Sequence, residues 1–354
     1  MITIALDAMG GDNAPQSVIG GLTLALNNHS NLNLKLFGDE AILAPLLPKQ
    51  FIDRIQIIHC LKTVGNEDKA SQVVRRGGDT TMGRAIHAVK DNEADAAISS
   101  GNTGALMALS LFTLRTLKGI DRPAICSAFP TKKSYACMLD LGANVECSSE
   151  HLVQFAVMGE VFARTVLNIE TPTIGLLNIG VEAMKGNDTI RQAAIILENT
   201  PLKGHFKGYV EGDDIGKGDV DVIVVDGFTG NVALKAIEGT ASLLTTLLKN
   251  AYQSSLMAKI GYLLSKPALD QFKRKLDPRN YNGAVLMGLN GIVIKSHGGS
   301  DAVGFANAIN VAIDLIERGF YERIAEEMDH LREHEDNISP ARSSRQARRQ
   351  KADL

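Results

Sequence analysis

The residues of this chain that could do chemistry lie mainly in glycine-rich segments, and the clearest of these is Ser99–Gly104, SSGNTG. Glycines let the backbone N–H groups of such a turn approach an anion closely, and a helix that begins there adds partial positive charge. Ser100, Asn102 and Thr103 add neutral hydrogen-bonding groups. A tight turn with a helix cap has the same composition, so one such segment alone does not establish a site.

Similar segments recur along the chain, each after a predicted strand. They are Gly10–Asp12, Leu141–Asn144, Asn178–Asn187 and Asp226–Asn231. Their repetition favours an anionic substrate, because in parallel sheets ligands bind where loops leave the carboxyl ends of strands. The predicted phosphate- or substrate-binding residues are Gly10, Gly11, Asp12, Ser100, Gly101, Asn102, Thr103, Gly104, Asn144, Asn178, Asn187, Asp226 and Gly230.

Three further side chains in these segments suit catalysis. Lys185 follows a predicted strand, and a lysine there is a point charge suited to a phosphate or a developing oxyanion. Asn231 offers an amide donor beside a glycine turn. His297 lies in KSHGGSD and could act as a general base. We interpret it instead as a hydrogen-bonding orienter, because the second ionisation of phosphate already lies near neutrality.

Metal and nucleotide chemistry lack comparable motifs. Aspartates at the predicted strand ends could orient Lys185 or coordinate a metal, but the sequence does not fix such a geometry. They are Asp7, Asp12, Asp140, Asp226 and Asp301. His330 and His334 match an inverted zinc-protease pattern, H-x-x-E-H, within a highly charged helix that offers no obvious pocket. The dinucleotide, P-loop and nucleophile-elbow motifs are absent from the sequence, and we predict no cofactor and no metal.

Short apolar runs that alternate with segments of helical period must position these residues. The predicted strands are Ile2–Asp7, Leu34–Gly38, Arg54–His59, Ala96–Ser99, Ala124–Phe129, Ala136–Leu139, Thr173–Leu177 and Val220–Asp226, with a further apolar strand at Gly291–Ile294. The predicted helices are Gln16–Asn28, Thr81–Asp91, Thr103–Leu117, Glu150–Leu167 and Thr189–Glu198. This alternation predicts an α/β fold with a mostly parallel sheet and helices on both faces.

Composition narrows the class of protein. A length of 354 residues, 45% hydrophobic, is ample for a large core, and a formal net charge of −3 argues against a nucleic-acid binder. Four cysteines without a paired spacing are expected to be reduced and buried, with a single catalytic thiol as the less favoured alternative. The amino terminus lacks a basic region before its apolar stretch, and no apolar run of membrane-spanning length occurs. We expect a cytoplasmic protein.

Two segments depart from this α/β texture. Residues 251–279 read as an amphipathic helical hairpin in which Pro267 ends the first helix. Such a hairpin packs in the core or against a second subunit, or it lies on anionic lipid or gates an acyl chain. Residues 336–354 form a basic tail that we predict to be disordered. The remaining residues, 1–335, are expected to form one catalytic unit of two lobes around a cleft.

Taken together, the segments resemble the phosphate acyltransferases of bacterial phospholipid synthesis. The resemblance rests on Asp7–Asp12, Ser99–Ala105, Leu139–Asn144, Asn178–Asn187, Asp226–Asn231, Gly288–Gly291 and His297–Asp301, which occur in family order. It covers about residues 1–330 and leaves the carboxyl-terminal tail outside. One such hexapeptide would be weak support, whereas the ordered set is specific.

The resemblance implies a reaction in which an acyl–acyl carrier protein and inorganic phosphate give an acyl phosphate and the free carrier. It also implies a three-layer α/β/α fold like that of isocitrate and isopropylmalate dehydrogenases, and a homodimer. The acyl phosphate would pass to a membrane-bound glycerol-3-phosphate acyltransferase. Peripheral membrane contact, through about 251–279, is therefore expected.

Two other functions remain open on the sequence. A short-chain phosphotransacetylase that uses coenzyme A shares the anion-binding segments but needs no apolar acyl groove and no basic surface for a carrier. A non-enzymatic membrane scaffold built around the hairpin leaves the glycine-rich segments without a role.

Overall fold

The computed structural model describes residues 1–338. Its centre is one 11-stranded sheet with the order β3-β2-β1-β4-β11-β10-β5-β6-β9-β7-β8. The strands are β1 Ile2–Asp7, β2 Leu32–Gly38, β3 Ile55–His59, β4 Ala96–Ser99, β5 Ala124–Pro130, β6 Tyr135–Leu139, β7 Ile174–Leu177, β8 Phe206–Val210, β9 Val222–Val224, β10 Ala284–Met287 and β11 Ile292–Lys295.

Helices connect most of these strands. They are α1 Gln16–Asn28, α2 Glu40–Leu43, α3 Ala70–Arg76, α4 Thr81–Lys90, α5 Thr103–Leu114, α6 Ser149–Thr165, α7 Asp188–Leu197, α8 Gly227–Gln253, α9 Leu256–Leu276, α10 Ala302–Glu317 and α11 Phe320–Ile338. Polar side chains cap several helices that follow a strand-end turn. Asn102 caps α5, Asn187 caps α7, Asp226 caps α8 and Asp301 caps α10. Each cap satisfies a backbone N–H that the helix itself leaves free.

The sheet is parallel at both ends and antiparallel at its centre. Strands β1, β2, β3, β4 and β11 run parallel to one another, and so do β6, β7, β8 and β9. Between the two sets, β10 pairs antiparallel with β11 and β5, and β5 pairs antiparallel with β6. The two parallel sets therefore run in opposite directions.

Helices cover both faces of the sheet and form the outer layers of an α/β/α sandwich. On one face, apolar side chains of α1, α6, α7, α10 and α11 pack against the sheet, and Phe155, Phe305 and Phe320 are fully buried there. On the other face, α3, α4, α5 and the first part of α8 pack against it. The predicted three-layer α/β fold is confirmed, whereas its division into two lobes like the isocitrate dehydrogenases stays a prediction.

The helical hairpin differs from its predicted form. The structure joins α8 and α9 at Ser254 and Ser255, and Pro267 lies inside α9. The prediction that Pro267 ends the first helix is wrong, because Ser255 already starts a new helix by accepting a hydrogen bond from the Ala258 amide. A helix can continue through proline at the loss of one backbone hydrogen bond. The hairpin thus begins well before residue 251.

The last described helix, α11, reaches into the segment that was predicted to be disordered. α11 extends to Ile338, so the first three residues of the tail predicted at 336–354 are helical. The rest of that tail lies outside the described residues. None of the helices within residues 1–338 combines the length and the apolar character that crossing a bilayer requires.

Candidate active site

A first group of strand-end residues forms where β1, β4 and β11 end. The Asp7 carboxylate is buried and accepts a hydrogen bond of 2.6 Å from Ser99 Oγ, which in turn accepts one of 3.0 Å from the Gly101 amide. Burial raises the pKa of Asp7 above its ordinary value. Asp7 therefore fixes the SSGNTG turn through Ser99.

Close backbone packing explains the glycines of the first turn. A Cβ on Gly10 would collide with the Asp7 carboxylate, and Gly11 adopts a φ of 98°, which side chains disfavour. A Cβ on Gly11 would also lie 2.7 Å from the Ser100 Cβ. The next residue, Asp12, is tied to the third strand end, because its amide donates to the Gly298 carbonyl at 2.9 Å. These contacts bring three predicted segments together.

Asn102 links the SSGNTG turn to the loop before α3. Its Oδ1 accepts from the Ala105 amide, and its Nδ2 lies 3.4, 2.9 and 3.1 Å from the carbonyl oxygens of Gly65, Asn66 and Asp68. Thr103 and Gly104 are exposed at the start of α5. The backbone N–H groups at the amino end of α5 are thus open to solvent beside a rigid turn, as an anion site requires.

Lys295, which the sequence analysis did not select, is the cation of this group. Its Nζ donates to the carbonyl oxygens of Ser100, at 3.2 Å, and of Ser296. Burial lowers the pKa of this lysine to about 8, although Asp12 and Asp7 oppose the shift. A partly buried ammonium held by carbonyl oxygens beside a glycine turn is suited to bind an anion. The signal available in the sequence was a lysine directly after an apolar strand.

His297 is exposed at the same strand end. Its Nδ1 accepts a hydrogen bond of 3.1 Å from the Gly299 amide, so the neutral ring carries its proton on Nε2. Its own amide donates to Oδ1 of the buried Asn282, whose Nδ2 lies 2.7 Å from Ser296 Oγ and 3.0 Å from Ser300 Oγ. The loop is therefore fixed, and the role of His297 as an orienter stays a prediction.

A second group lies where β6 and β9 end, and Asp140 organises it. This fully buried carboxylate accepts hydrogen bonds from the amides of Ile125, Gly142, Ala143 and Asn144, and from Asn144 Nδ2. Gly230 packs so tightly that a Cβ would collide with the Asp140 carbonyl oxygen. The start of α8 is thereby held against this turn.

Asn231 lies on the first turn of α8, next to the same loop. A Cβ on Gly142 would be 3.6 Å from the Asn231 Cβ, so the asparagine side chain and the glycine turn are neighbours. Asp226 caps α8 through the Thr229 amide at 2.9 Å and also accepts from the Thr229 hydroxyl. The structure thus brings Asn144, Asp226, Gly230 and Asn231 together around Asp140.

Lys185 belongs to a third strand end, after β7. The buried Asn178 donates through Nδ2 to the Lys185 carbonyl at 3.1 Å, and Asn187 caps α7 through the Ile190 amide at 2.9 Å. The Lys185 side chain is exposed. Within residues 1–338, we find no hydrogen bond or ion pair that joins Lys185 to Asn231 or to the SSGNTG turn. Its catalytic role stays a prediction.

The turns follow the carboxyl ends of strands, as predicted, but they do not all leave the same edge of the sheet. Because β5 and β10 run antiparallel to their neighbours, the first group points to one edge and the other two groups to the opposite edge. The register nevertheless keeps them close. The strand register places Lys295 level with Met138, which precedes Asp140 by two residues. Lys295 and Asp140 are therefore about 7 Å apart along the strand direction and, across three strand spacings, about 14 Å apart in the sheet.

Helix α8 spans this offset. It starts at the Asp140 turn, and Lys235 on its third turn lies near enough to Lys295 to lower the pKa of that lysine further. The first group thus lies at the start of α5 and the second at the start of α8, and both helices pack on the same face of the sheet. This placement could not be read from the sequence, because it depends on where β10 inserts.

The larger of two described cavities adjoins the first group. It has a volume of about 690 Å³ and lies between the segment after β3 and helix α3. The second cavity, of about 380 Å³, lies beside α4. Neither cavity is lined by Lys185 or Asn231.

Thiol and metal chemistry are poorly supported by the geometry. All four cysteines are free thiols, and Cys147 is only half-buried, which corrects the expectation that all are buried. Burial raises the pKa of Cys147 to about 11 and that of Cys126 well above its ordinary value, so both are protonated at neutral pH. In the described part of the chain, no three His, Cys, Asp or Glu side chains are grouped to hold a metal ion.

Comparison with known proteins agrees with this architecture. The profile of a family described as "Fatty acid synthesis protein" matches residues 2–323. A phosphate acyltransferase of Paramagnetospirillum magneticum is 52% identical over 96% of this chain and 97% of its own length. One from Rhodospirillum rubrum is 51% identical over 92% and 94%, respectively.

The chain belongs to the phosphate acyltransferase family. It is accordingly an acyltransferase of lipid synthesis, and the glycine-rich segments that carried the resemblance lie at its strand ends. The sequence-based assignment to this family is confirmed.

Solved structures share the fold at much lower identity. A phosphotransacetylase from Streptococcus pyogenes has a TM-score of 0.58 and 17% identity, covering 89% of this chain and 94% of its own. A branched-chain phosphotransacylase from Enterococcus faecalis V583 has a TM-score of 0.56 and 13% identity, covering 90% and 100%. At such identities the likeness concerns the fold alone.

Proposed function

We propose that this acyltransferase moves a fatty acyl group from the thioester of an acyl carrier protein to inorganic phosphate. The observation that carries the proposal is Lys295, a partly buried cation that donates to the Ser100 carbonyl beside the open amide end of α5. A rigid turn, a helix amino terminus and one ammonium together form a binding site for a small tetrahedral anion. Such a site suits phosphate as the acyl acceptor.

The chemistry asked of the site is modest. A phosphate oxygen attacks the thioester carbon, the carbon–sulfur bond breaks, and the thiolate leaves with the bond pair and takes up a proton. Holding the phosphate about 3–3.5 Å from that carbon supplies much of the acceleration. Hydrogen-bond donors must also meet the oxyanion of the tetrahedral intermediate.

We assign phosphate to the first group and the acyl carbonyl to the region between α5 and α8. Asn231 supports this division because its amide lies beside the Gly142 turn at the start of α8. Lys185 and His297 are proposed as further polar groups at this site, with Lys185 stabilising charge and His297 orienting a substrate. The backbone N–H groups of Gly11, Thr103 and Gly104 would hold phosphate oxygens, whereas those of Gly101 and Gly10 already donate to Ser99 Oγ and to the Asp7 carboxylate and shape the turns.

Membrane contact and dimer formation belong to the same proposal. The hairpin of α8 and α9 exposes large apolar side chains, from 47% exposure at Ile260 to 79% at Leu264. An exposed apolar surface of this kind is typical of a membrane or subunit contact. The enzyme would then work in the cytoplasm at the membrane surface and pass its acyl phosphate to a membrane-bound glycerol-3-phosphate acyltransferase.

The experiment that tests the proposal is incubation of the protein with palmitoyl–carrier protein, with and without phosphate. We expect acyl phosphate and free carrier thiol only when phosphate is present. Acetyl–coenzyme A in the same assay tests the phosphotransacetylase alternative, which predicts the reverse preference. Vesicle binding without any phosphate-dependent thioester cleavage would instead support a membrane scaffold.

A further inference from the structure

The cavity beside the SSGNTG turn has the lining of an anion-binding pocket. Its charged lining residues are three cations and one carboxylate, namely Lys62, Arg75, Arg76 and Asp68. Thr63, Ser71 and Gln72 add polar groups, and Val64 and Val73 give it an apolar floor. Its volume of about 690 Å³ lies within the range of small-molecule sites. In the following, it is called the cationic cavity.

The arginines of this cavity have no structural partner in residues 1–338. Neither the Arg75 nor the Arg76 side chain forms a hydrogen bond or an ion pair there, and both residues are exposed. Lys62 makes only a long contact of 3.7 Å with Asp79. Arginines near a helix carboxyl end interact favourably with the helix dipole, but this does not account for Lys62, which lies on another segment. The three cations therefore come from two different segments and have the cavity in common.

The cationic cavity is connected to the proposed reaction site by a rigid wall. Asn102, in the SSGNTG turn, binds the carbonyl oxygens of Gly65, Asn66 and Asp68, which belong to the loop before α3. Asn66 Nδ2 also lies 3.4 Å from the Asp12 carboxylate. Asp68 both lines the cavity and binds Asn102 through its carbonyl oxygen, so one residue joins the cavity wall to the turn that we assign to phosphate.

We propose that the cationic cavity receives the phosphopantetheine arm of the acyl carrier, with Arg75, Arg76 and Lys62 holding the phosphodiester of that arm. This inference rests on the proposed function. Arginine suits a phosphodiester because its planar fork can pair with two oxygens at once. The valines of the floor match the methyl and methylene groups of the arm, and a flexible arm fills a volume that inorganic phosphate would leave mostly empty.

The test compares three acyl donors in wild type, in the double variant Arg75→Gln/Arg76→Gln, and in the control Lys69→Gln, which removes a neighbouring cation that does not line the cavity. The donors are palmitoyl–carrier protein, free S-palmitoyl phosphopantetheine and S-palmitoyl pantetheine, which lacks the phosphate. We expect the double variant to raise KM about tenfold or more for the first two donors. KM for S-palmitoyl pantetheine and for inorganic phosphate should not change, and Lys69→Gln should behave as wild type.

Each other result overturns the inference. A raised KM for inorganic phosphate would place the acceptor in the cavity, and an effect confined to the carrier protein would show that its acidic surface, and not its arm, is recognised. Unchanged kinetics with all donors would show that the arm binds elsewhere. A wild-type protein inactive with every donor would refute the proposed function itself, which the other outcomes leave standing. Thermal unfolding of each variant confirms that the folded state is preserved.

Discussion

The ammonium of Lys295 donates a hydrogen bond of 3.2 Å to the carbonyl oxygen of Ser100, across the pair of strands that end at the proposed phosphate site. This contact joins the ends of β4 and β11 and keeps a positive charge directly behind the SSGNTG turn. Burial of this cation lowers its pKa, which means that keeping it charged in the folded protein reduces the stability of the fold. A cation held in this way is expected to serve the substrate.

We first predict that Lys295→Met weakens phosphate binding. Loss of a hydrogen bond to a charged partner costs about 1.5–3 kcal/mol, so KM for phosphate should rise about 10- to 100-fold. KM for the acyl donor should change little, and steady-state kinetics with each substrate varied separately would show this difference. Lys295→Arg, which keeps the charge, should recover part of the affinity. An unchanged KM for phosphate in Lys295→Met would place the anion elsewhere.

The lowered pKa of Lys295 gives a second prediction, on pH. Below about pH 8 the lysine is charged in the folded protein, and above that value it loses its proton while phosphate stays dianionic. The affinity for phosphate should therefore fall as pH rises through about 8. Because burial lowers this pKa in the folded state, the cost to stability is present below about pH 8 and fades as pH rises toward the ordinary value of a lysine.

A pH series of KM for phosphate, measured in wild type and in Lys295→Met, separates this titration from others. The variant should lack the fall in affinity near pH 8. If both proteins show the same profile, another group is responsible.

Local sequence signals predicted most elements but not their arrangement. The bounds of β1 and α1 agree with the prediction, because an apolar strand followed by a glycine turn and a periodic helix are strong short-range patterns. β8 and β10 were missed, since one contains Lys207 and Gly208 and the other, Ala284–Met287, holds a single β-branched residue. The antiparallel hairpin of β5 and β6 reverses the second half of the sheet, and β10 joins that half to β11 by pairing with β5, far away in the sequence, which leaves no local trace.

The same limit applies to the site. The glycine-rich turns were recognisable because backbone approach restricts residue type at positions such as Gly11 and Gly230. Lys295 was not selected, because its lowered pKa depends on burial in the folded protein and on the nearby charge of Lys235 in α8. Neither can be seen in the sequence. Sequence patterns thus identified the turns, whereas the pairing of charges required the fold.

Our third prediction concerns the attachment of α8 to the Asp140 turn. Gly230→Ala would push a methyl group into the Asp140 carbonyl and should lower the free energy of unfolding by about 1–3 kcal/mol. Gly239→Ala, later in the same helix and with no atom within 4 Å of the new Cβ, is the matched control. It should raise stability by about 0.5–1 kcal/mol through helix propensity. Urea unfolding of both variants measures the contrast, and equal effects would mean that the contact does not hold the helix.

The fourth prediction tests Lys185. This side chain is exposed, so Lys185→Ala should leave the unfolding midpoint unchanged while it reduces kcat about a hundredfold, the loss typical of one oxyanion-stabilising group. Lys207→Ala, an exposed lysine on the neighbouring strand β8, controls for the removal of surface charge. Turnover near that of wild type in Lys185→Ala would remove this residue from the proposed mechanism and leave Lys295 as its cation.

The fifth prediction concerns the exposed hairpin, which we expect to bind anionic lipid. Leu263 and Leu264 on α9 are 72% and 79% exposed, and burial of one such side chain contributes about 1.5–3 kcal/mol. Leu263→Glu/Leu264→Glu should therefore weaken sedimentation with phosphatidylglycerol-containing vesicles at least tenfold, whereas Ile195→Glu, an exposed apolar site on α7, should not. Light scattering of the same variants distinguishes the alternative. If the double variant dissociates into monomers but still sediments with vesicles, the apolar face of α9 is a subunit contact and the lipid contact lies elsewhere.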